Sequence, residues 1–202
     1  MPNPGDAGSS LGAALCGTLR QAKWLGPYLG TDIDREVDPY QAVSALRSQG
    51  ALGIGSGRAE FGPRAFGNRS LIADPRSRSA KARVNQIKQR EQFRPFAAVV
   101  LEEHMHNQFV VPQGIDCSYM QYTWRVKFPR EVPAICHVNS TSRIQTLRKD
   151  QNPHFHAILS EWYQQTGCPM LLNTSLNIKG EPLANTWEDV VRFRDHYEVL
   201  VL

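Results

Sequence analysis

The sequence has no apolar run long enough to cross a bilayer as a helix. Its longest, Ala97 to Leu101 and Val199 to Leu202, fall far short of the roughly 20 residues a spanning helix needs. No membrane span is expected. The opening segment Met1-Pro2-Asn3-Pro4-Gly5-Asp6 lacks both the basic and the apolar stretch of a secretory signal, so the expected setting is cytoplasmic. Cysteine is scarce. Cys16, Cys117, Cys136 and Cys168 stand apart with no Cys-x-x-Cys pair, which argues against a zinc site or a redox dithiol and leaves buried thiols. There is neither an internal repeat nor a low-complexity tract. Acidic residues thin out in one region. Between Arg58 and Arg94 only Glu60, Asp74 and Glu91 face Arg58, Arg64, Arg69, Arg76, Arg78, Lys81, Arg83, Lys88, Arg90 and Arg94. That local excess suits a polyanion, either the phosphates of a nucleotide or a nucleic-acid backbone, although a solvated basic surface would look the same.

At 202 residues and 41% hydrophobic content, the chain can bury one sizeable core and a fragment of a second. Asp38-Pro39 followed by Tyr40 to Gln49 and Gly50 predicts a helix with an N-cap, proline in its first turn and a glycine stop. Ala51 to Gly55 predicts a strand that enters the glycine- and arginine-rich loop Ser56 to Asn68, and Ser70 to Ala73 predicts another. Ser77 to Arg90 lacks breakers and predicts a basic helix carrying Lys88 and Arg90 at its C-terminal end. Ala97 to Leu101, Tyr122 to Phe128 and Ile135 to Val138 read as strands. Asn152-Pro153 opens a helix with Phe155, Ile158, Leu159 and Trp162 at helical spacing, closed by Gly167. Pro169 to Leu172 is the next strand, Thr186-x-x-Asp189 caps a last helix, and Val199 to Leu202 reads as a final strand. The expected class is α/β with an open twisted sheet and flanking helices. Residues 1–38 stand apart, with an amphipathic helix at Ala7 to Leu19 and a Gly/Pro connection at Gly26-Pro27-Tyr28-Leu29-Gly30.

Three segments could carry chemistry. In Gly57 to Ser70, closely spaced glycines allow backbone to approach a ligand, and Arg58, Arg64 and Arg69 could clamp oxygens. Lys88-Gln89-Arg90, followed by Arg94, offers one compact and one forked cation, suited to a polyphosphate held from two sides. Leu172-Asn173-Thr174-Ser175-Leu176-Asn177 places small polar groups where a buried strand ends, at an edge that often holds ligands in α/β sheets. Between them, His137 to Gln145, with Thr141 and Arg143, again passes from apolar to polar. His137 by itself reads equally as a core histidine.

These four segments together resemble, in order, the C-terminal region of the NodU/CmcH-type O-carbamoyltransferases, and the likeness spans nearly all of residues 50–202. That region is itself similar to the YrdC-like threonylcarbamoyl-adenylate synthases, whose Lys-x-Arg is matched by Lys88-Gln89-Arg90. Their Thr-Ser-Ala-Asn-x-Ser-Gly-x-Pro is matched by Thr174 to Pro182, with Leu176 and Lys179 departing from it. Gly53-Ile54-Gly55-Ser56 replaces the usual aromatic or amide-bearing residues before Gly57-Arg58.

The resemblance implies a YrdC-like domain over residues 39–202, preceded at residues 1–38 by a remnant of an actin-like-fold acceptor domain plus linker. It implies ATP and carbamoyl phosphate as substrates, carbamoyl-adenylate and pyrophosphate as products, and Mg2+ as helper. The carbamoyl group would then move to a hydroxyl of a small-molecule acceptor, a natural product or nodulation-factor-like compound. That step belongs to the neighbouring domain with its iron-type metal, supplied in cis or in trans. Asp6 in Gly5-Asp6-Ala7-Gly8 matches its carboxylate ligand, whereas the upstream His-x-x-x-His is absent. Lys88, Arg90 and Arg94 are thereby expected as catalytic residues around the carbamoyl and phosphate groups. Arg58, Arg64, His137, Thr141, Arg143, Asn173, Thr174, Ser175 and Asn177 are expected to bind substrate and nucleotide. Two other readings stay open: a threonylcarbamoyl-adenylate synthase acting in tRNA modification, and a nucleotide-sensing module without catalysis. Nucleic acid is disfavoured because the arginine-rich stretches are not interleaved with aromatics for base stacking.

Overall fold

A computed structural model describes residues 6–17 and 24–202. In chain order the elements are α1 (Asp6–Cys16), β1 (Tyr28–Ile33), α2 (Pro39–Gln49), β2 (Ala51–Gly55), β3 (Gly57–Glu60), β4 (Arg69–Ala73), α3 (Ala80–Ile87) and β5 (Ala97–Leu101). There follow α4 (Met105–Gln108), β6 (Phe109–Val110), β7 (Thr123–Val126), β8 (Thr141–Leu147), α5 (Pro153–Thr166), β9 (Met170–Ser175) and α6 (Trp187–Tyr197).

Local chemistry explains the long helices. The Asp38 carboxylate accepts from the Gln41 amide at 2.7 Å, and Gly50 closes α2 in the left-handed region at φ 71°. Asn152 caps α5 in the same way, accepting from the Phe155 amide at 3.0 Å, with Gly167 as its stop. Thr186 and Asp189 form a reciprocal capping box on α6.

The main sheet runs β2-β4-β9-β5-β8-β7-β6. Every neighbouring pair is antiparallel except β5 and β8, which are parallel. Because side chains alternate across a strand, β5 sends Val99 and Leu101 to a layer shared with α2 and α5, and Ala98 and Val100 to one shared with α3 and α6. Phe155, Ile158, Leu159 and Trp162 are fully buried on the first face, each contributing on the order of 1.5–3 kcal/mol. Gly67 is required where the loop before β4 crosses α5: its φ is 118°, and a Cβ there would sit 2.5 Å from Phe155 Cδ1.

Three expectations need correction. The basic helix stops at Ile87, and Lys88 and Arg90 lie beyond it. Gln89 takes a left-handed φ of 46°, its amide donating to Gln86 and that of Arg90 to Asn85. This is a Schellman closure without the glycine that usually announces one. The strand expected at Ile135 to Val138 is instead a turn region, and the strand lies at Thr141–Leu147. The final apolar run is shorter than the expected strand: it pairs in parallel with β2 at Val201 and Gly53, through the Gly53 amide to Leu200 O, the Leu202 amide to Gly53 O and the Gly55 amide to Leu202 O.

Strand β1 lies before the expected domain boundary at residues 38 and 39, yet it pairs with β3. The Asp6 side chain, expected as a metal ligand, lies outside the described residues.

Candidate active site

The N-terminal ends of β5 and β8 and the C-terminal end of β9 meet at one edge of the sheet. Ala97 pairs with Arg143 on one side and Asn173 on the other, so these residues face the same way. Above them, Arg64, Arg90, Thr174 and Ser175 help enclose a narrow cleft of about 80 Å³. Three guanidinium-bearing residues line it, and no carboxylate does among the described residues.

Electrostatics mark the cleft as unfinished. Arg90 Nε donates to Asn85 Oδ1 at 2.6 Å, and its guanidinium carbon lies 4.2 Å from the Phe96 ring centroid. Its Nη2 is buried without a partner. Burial, together with Arg94 and Arg143, lowers its pKa to about 10. Arg143 is also held below the usual arginine value, by burial and then by Arg64. Like charges brought together out of water destabilise one another, and an anion would relieve both penalties. Two of the described non-glycine residues with positive φ border this region: Gln89 precedes Arg90 and Met120 lines the cleft. Such backbone costs of order 1–3 kcal/mol each gather where geometry serves a site.

Lys88 lies elsewhere. Left-handed Gln89 separates it from Arg90, and its ammonium runs beneath the loop after β9. It donates to Ser175 O at 2.9 Å, Asn177 O at 2.6 Å and Asn177 Oδ1 at 2.6 Å. Only 6% exposed, it has its pKa lowered to about 7 by burial and then by Arg90. The expected pair of cations holding one polyphosphate from two sides is therefore resolved into an arginine in the cleft and a lysine under its rim. Asn177 is equally committed: its Oδ1 also accepts from Ser175 Oγ at 2.7 Å, and its Nδ2 donates to Ile178 O and Glu181 O.

Other expected residues fall outside the cleft. Arg94 pairs with Glu91 at 2.7 Å on the surface. Arg58 donates to the carbonyls of Gly30 and Leu29 and borders a separate open groove of about 380 Å³. His137 Nδ1 lies 3.1 Å from Thr141 Oγ1, which in turn donates to Asn139. Burial, then Arg143, lowers the His137 pKa, which suits a neutral imidazole.

Arg69, expected with Arg58 and Arg64 to clamp ligand oxygens, is instead spent on a polar scaffold behind the site, and sequence reasoning missed the part Glu60 plays in it. Fully buried Arg69 donates from Nη1 to the carbonyls of Ser56, Gly57 and Asn68, and from Nη2 to those of Thr31 and Asn185. Buried Glu60 accepts the amides of Phe66, Asn68 and Arg69 on Oε1, shaping the loop that carries Arg64. A charge inside an apolar strand, Arg69 before Ser70-Leu71-Ile72-Ala73, was the available signal.

Residues 43–202 match the family model described as "Carbamoyltransferase C-terminus". The chain belongs to this carbamoyltransferase family. Its relatives include the nodulation protein NolO of Bradyrhizobium diazoefficiens, 35% identical over 222 residues, which cover 95% of this chain and 40% of the relative. The 3'-hydroxymethylcephem-O-carbamoyltransferase of Amycolatopsis lactamdurans is also 35% identical, over 209 residues, again covering 95% of this chain and 40% of the relative. The chain thus spans about 40% of the length of these relatives. Among solved structures, full-length HypF in its phosphate- and nucleotide-bound form aligns with a TM-score of 0.59 at 16% identity, covering 81% of this chain and 24% of HypF. E. coli YciO aligns with a TM-score of 0.58 at 17% identity, covering 81% of this chain and 75% of YciO. These likenesses establish the YrdC-like fold.

Proposed function

We propose that this chain forms carbamoyl-adenylate for an ATP-dependent O-carbamoyltransferase. The observation that carries the reading is the convergence of Arg64, Arg90 and Arg143 on a cleft whose described lining contains no carboxylate. Carbamate, released from carbamoyl phosphate by water with loss of inorganic phosphate, attacks the α-phosphorus of ATP. The new O–P bond forms as the bond to the β-phosphate breaks and pyrophosphate leaves. This chemistry needs charge neutralisation and positioning more than a covalent nucleophile. Arg90 and Arg143 face the transferring groups, Arg64 closes over them from the loop, and Thr174 and Ser175 offer hydroxyls at the strand end. Mg2+ would travel with the phosphates, since no cluster of three or more metal-ligating side chains occurs among the described residues. Delivery of the carbamoyl group to an acceptor hydroxyl is assigned to polypeptide outside this stretch, where the iron-type metal would reside.

The test is exchange of labelled pyrophosphate into ATP. Exchange should depend on carbamoyl phosphate. Exchange that depends instead on threonine with bicarbonate would move the chain to tRNA modification, and nucleotide binding without exchange would make it a sensing module.

A further inference from the structure

Two residues that line the cleft each carry a buried polar atom without a partner, and the two atoms are of opposite kinds. Arg90 Nη2 is a donor, and Asn173 Oδ1 is an acceptor. A cleft lined by three arginines should need acceptors only from its ligand. A fixed acceptor among those cations calls for a ligand that also carries an N–H or O–H beside its anionic oxygens.

The orientation of the Asn173 amide is settled by its surroundings. Its Nδ2 donates to Ala65 O at 3.0 Å and to Gln145 Oε1 at 2.9 Å. Rotating the amide by half a turn would set Oδ1 against the Ala65 carbonyl, which cannot donate. Asn173 is 2% exposed and Gln145 likewise 2%, so neither has solvent to compensate a wrong orientation. The backbone adds a second constraint, because Asn173 pairs with Ala97 on β5 and Ile72 on β4 inside the sheet. The acceptor is thus held rigidly at the sheet edge where Arg143 emerges.

We infer that Asn173 Oδ1 reads the NH2 of the carbamoyl group, while Arg90 Nη2 reads its carbonyl oxygen. A carbamoyl group presents one acceptor and one donor, which matches in kind the two unpaired atoms on these lining residues. This inference rests on the proposed function and deepens it, by making Asn173 a specificity-determining residue that separates a carbamoyl donor from an acyl donor of the same charge. A methyl group in place of the NH2 would leave Asn173 Oδ1 buried and unpaired, and sites built around such a bond reject the analogue lacking it.

The experiment measures binding of carbamoyl phosphate and acetyl phosphate to the 202-residue chain by calorimetry, for the wild type and for Asn173→Ala. The wild type should bind carbamoyl phosphate at least ~10-fold more tightly. In Asn173→Ala that ratio should approach one through weaker carbamoyl phosphate binding, with acetyl phosphate little changed. A purely structural role would weaken both ligands equally and leave the ratio intact, which overturns the inference. Equal binding of both ligands by the wild type overturns it too, without needing a folded variant, and leaves the proposed function standing. Binding of neither by the wild type sinks the proposed function and the inference with it.

Discussion

The ammonium of Lys88 is bonded twice to Asn177, to its backbone carbonyl and to its side-chain oxygen, each at 2.6 Å. With the third bond to Ser175 O, every N–H of the cation is used, and the turn after β9 is tied to the segment that follows α3. Lys88→Met keeps the length of the stem but takes the ammonium from the carbonyls of Ser175 and Asn177, while Asn177 Oδ1 keeps only the Ser175 hydroxyl. We expect a loss of ~1–3 kcal/mol, since a buried group left unsatisfied costs about that much. Thermal unfolding should show a fall of several degrees, alongside reduced pyrophosphate exchange. An unchanged melting temperature with exchange abolished would place the charge against a ligand phosphate instead.

The same lysine gives a pH signature. Its pKa is lowered from 10.5 to about 7 on folding, so between those values the unfolded chain holds the proton that the folded chain has released. Stability from this group therefore rises with pH across that window. The difference in unfolding free energy between wild type and Lys88→Met should drift in favour of the wild type from about pH 7 towards pH 10. Exchange should move the other way, because neutral Lys88 has only two N–H groups for three acceptors. A flat difference would show that Lys88 keeps its ordinary ionisation.

The arginines of the cleft should trade stability for binding. Arg143 is depressed by burial and by Arg64, so replacing it with Gln removes a repelling, poorly solvated charge. We expect Arg143→Gln to melt at or above the wild-type temperature while losing ~100-fold or more in exchange, the scale of removing a preorganised charge from a transition state. A variant that is both less stable and fully active would contradict this arrangement.

The framework of the fold was legible because its signals are local. Asp38-Pro39 with Gly50, Asn152-Pro153 with Gly167, and Thr186 with Asp189 each fix a helix end through atoms a few residues apart. The C-terminal end of α3 was not legible, since Gln89 adopts a glycine-like conformation. Strand β8 was read as a polar binding segment because Thr141, Arg143 and Gln145 share one face, from which Arg143 lines the cleft, while Ser142 and Ile144 lie buried on the other. Spacing brought Arg90 and Asn173 into view but could not separate Lys88 from the cleft or Arg58 from it. Those distinctions depend on which carbonyls each cation meets, and the carbonyls come from distant parts of the chain.

Arg69 provides the last prediction. It is fully buried and spreads its guanidinium over five carbonyls drawn from β1, the β2–β4 region and the approach to α6. Arg69→Lys keeps the charge but offers three N–H groups from a single point rather than a planar fork, so at least two carbonyls lose their donor. Removing one donor from a buried group costs about 1–3 kcal/mol, more when the missing partner was charged. We expect Arg69→Lys to lose several kcal/mol in denaturant unfolding, enough to unfold much of a marginally stable domain. Glu60 should not rescue it: its Oε1 is taken by three backbone amides of the neighbouring loop, and burial raises its pKa. Because β1 is tied to the rest through Thr31 O, limited proteolysis of the variant should cut first around residues 28–33. Wild-type stability in Arg69→Lys, with the same cleavage pattern, would show that the charge alone, rather than the geometry of the fork, holds these segments together.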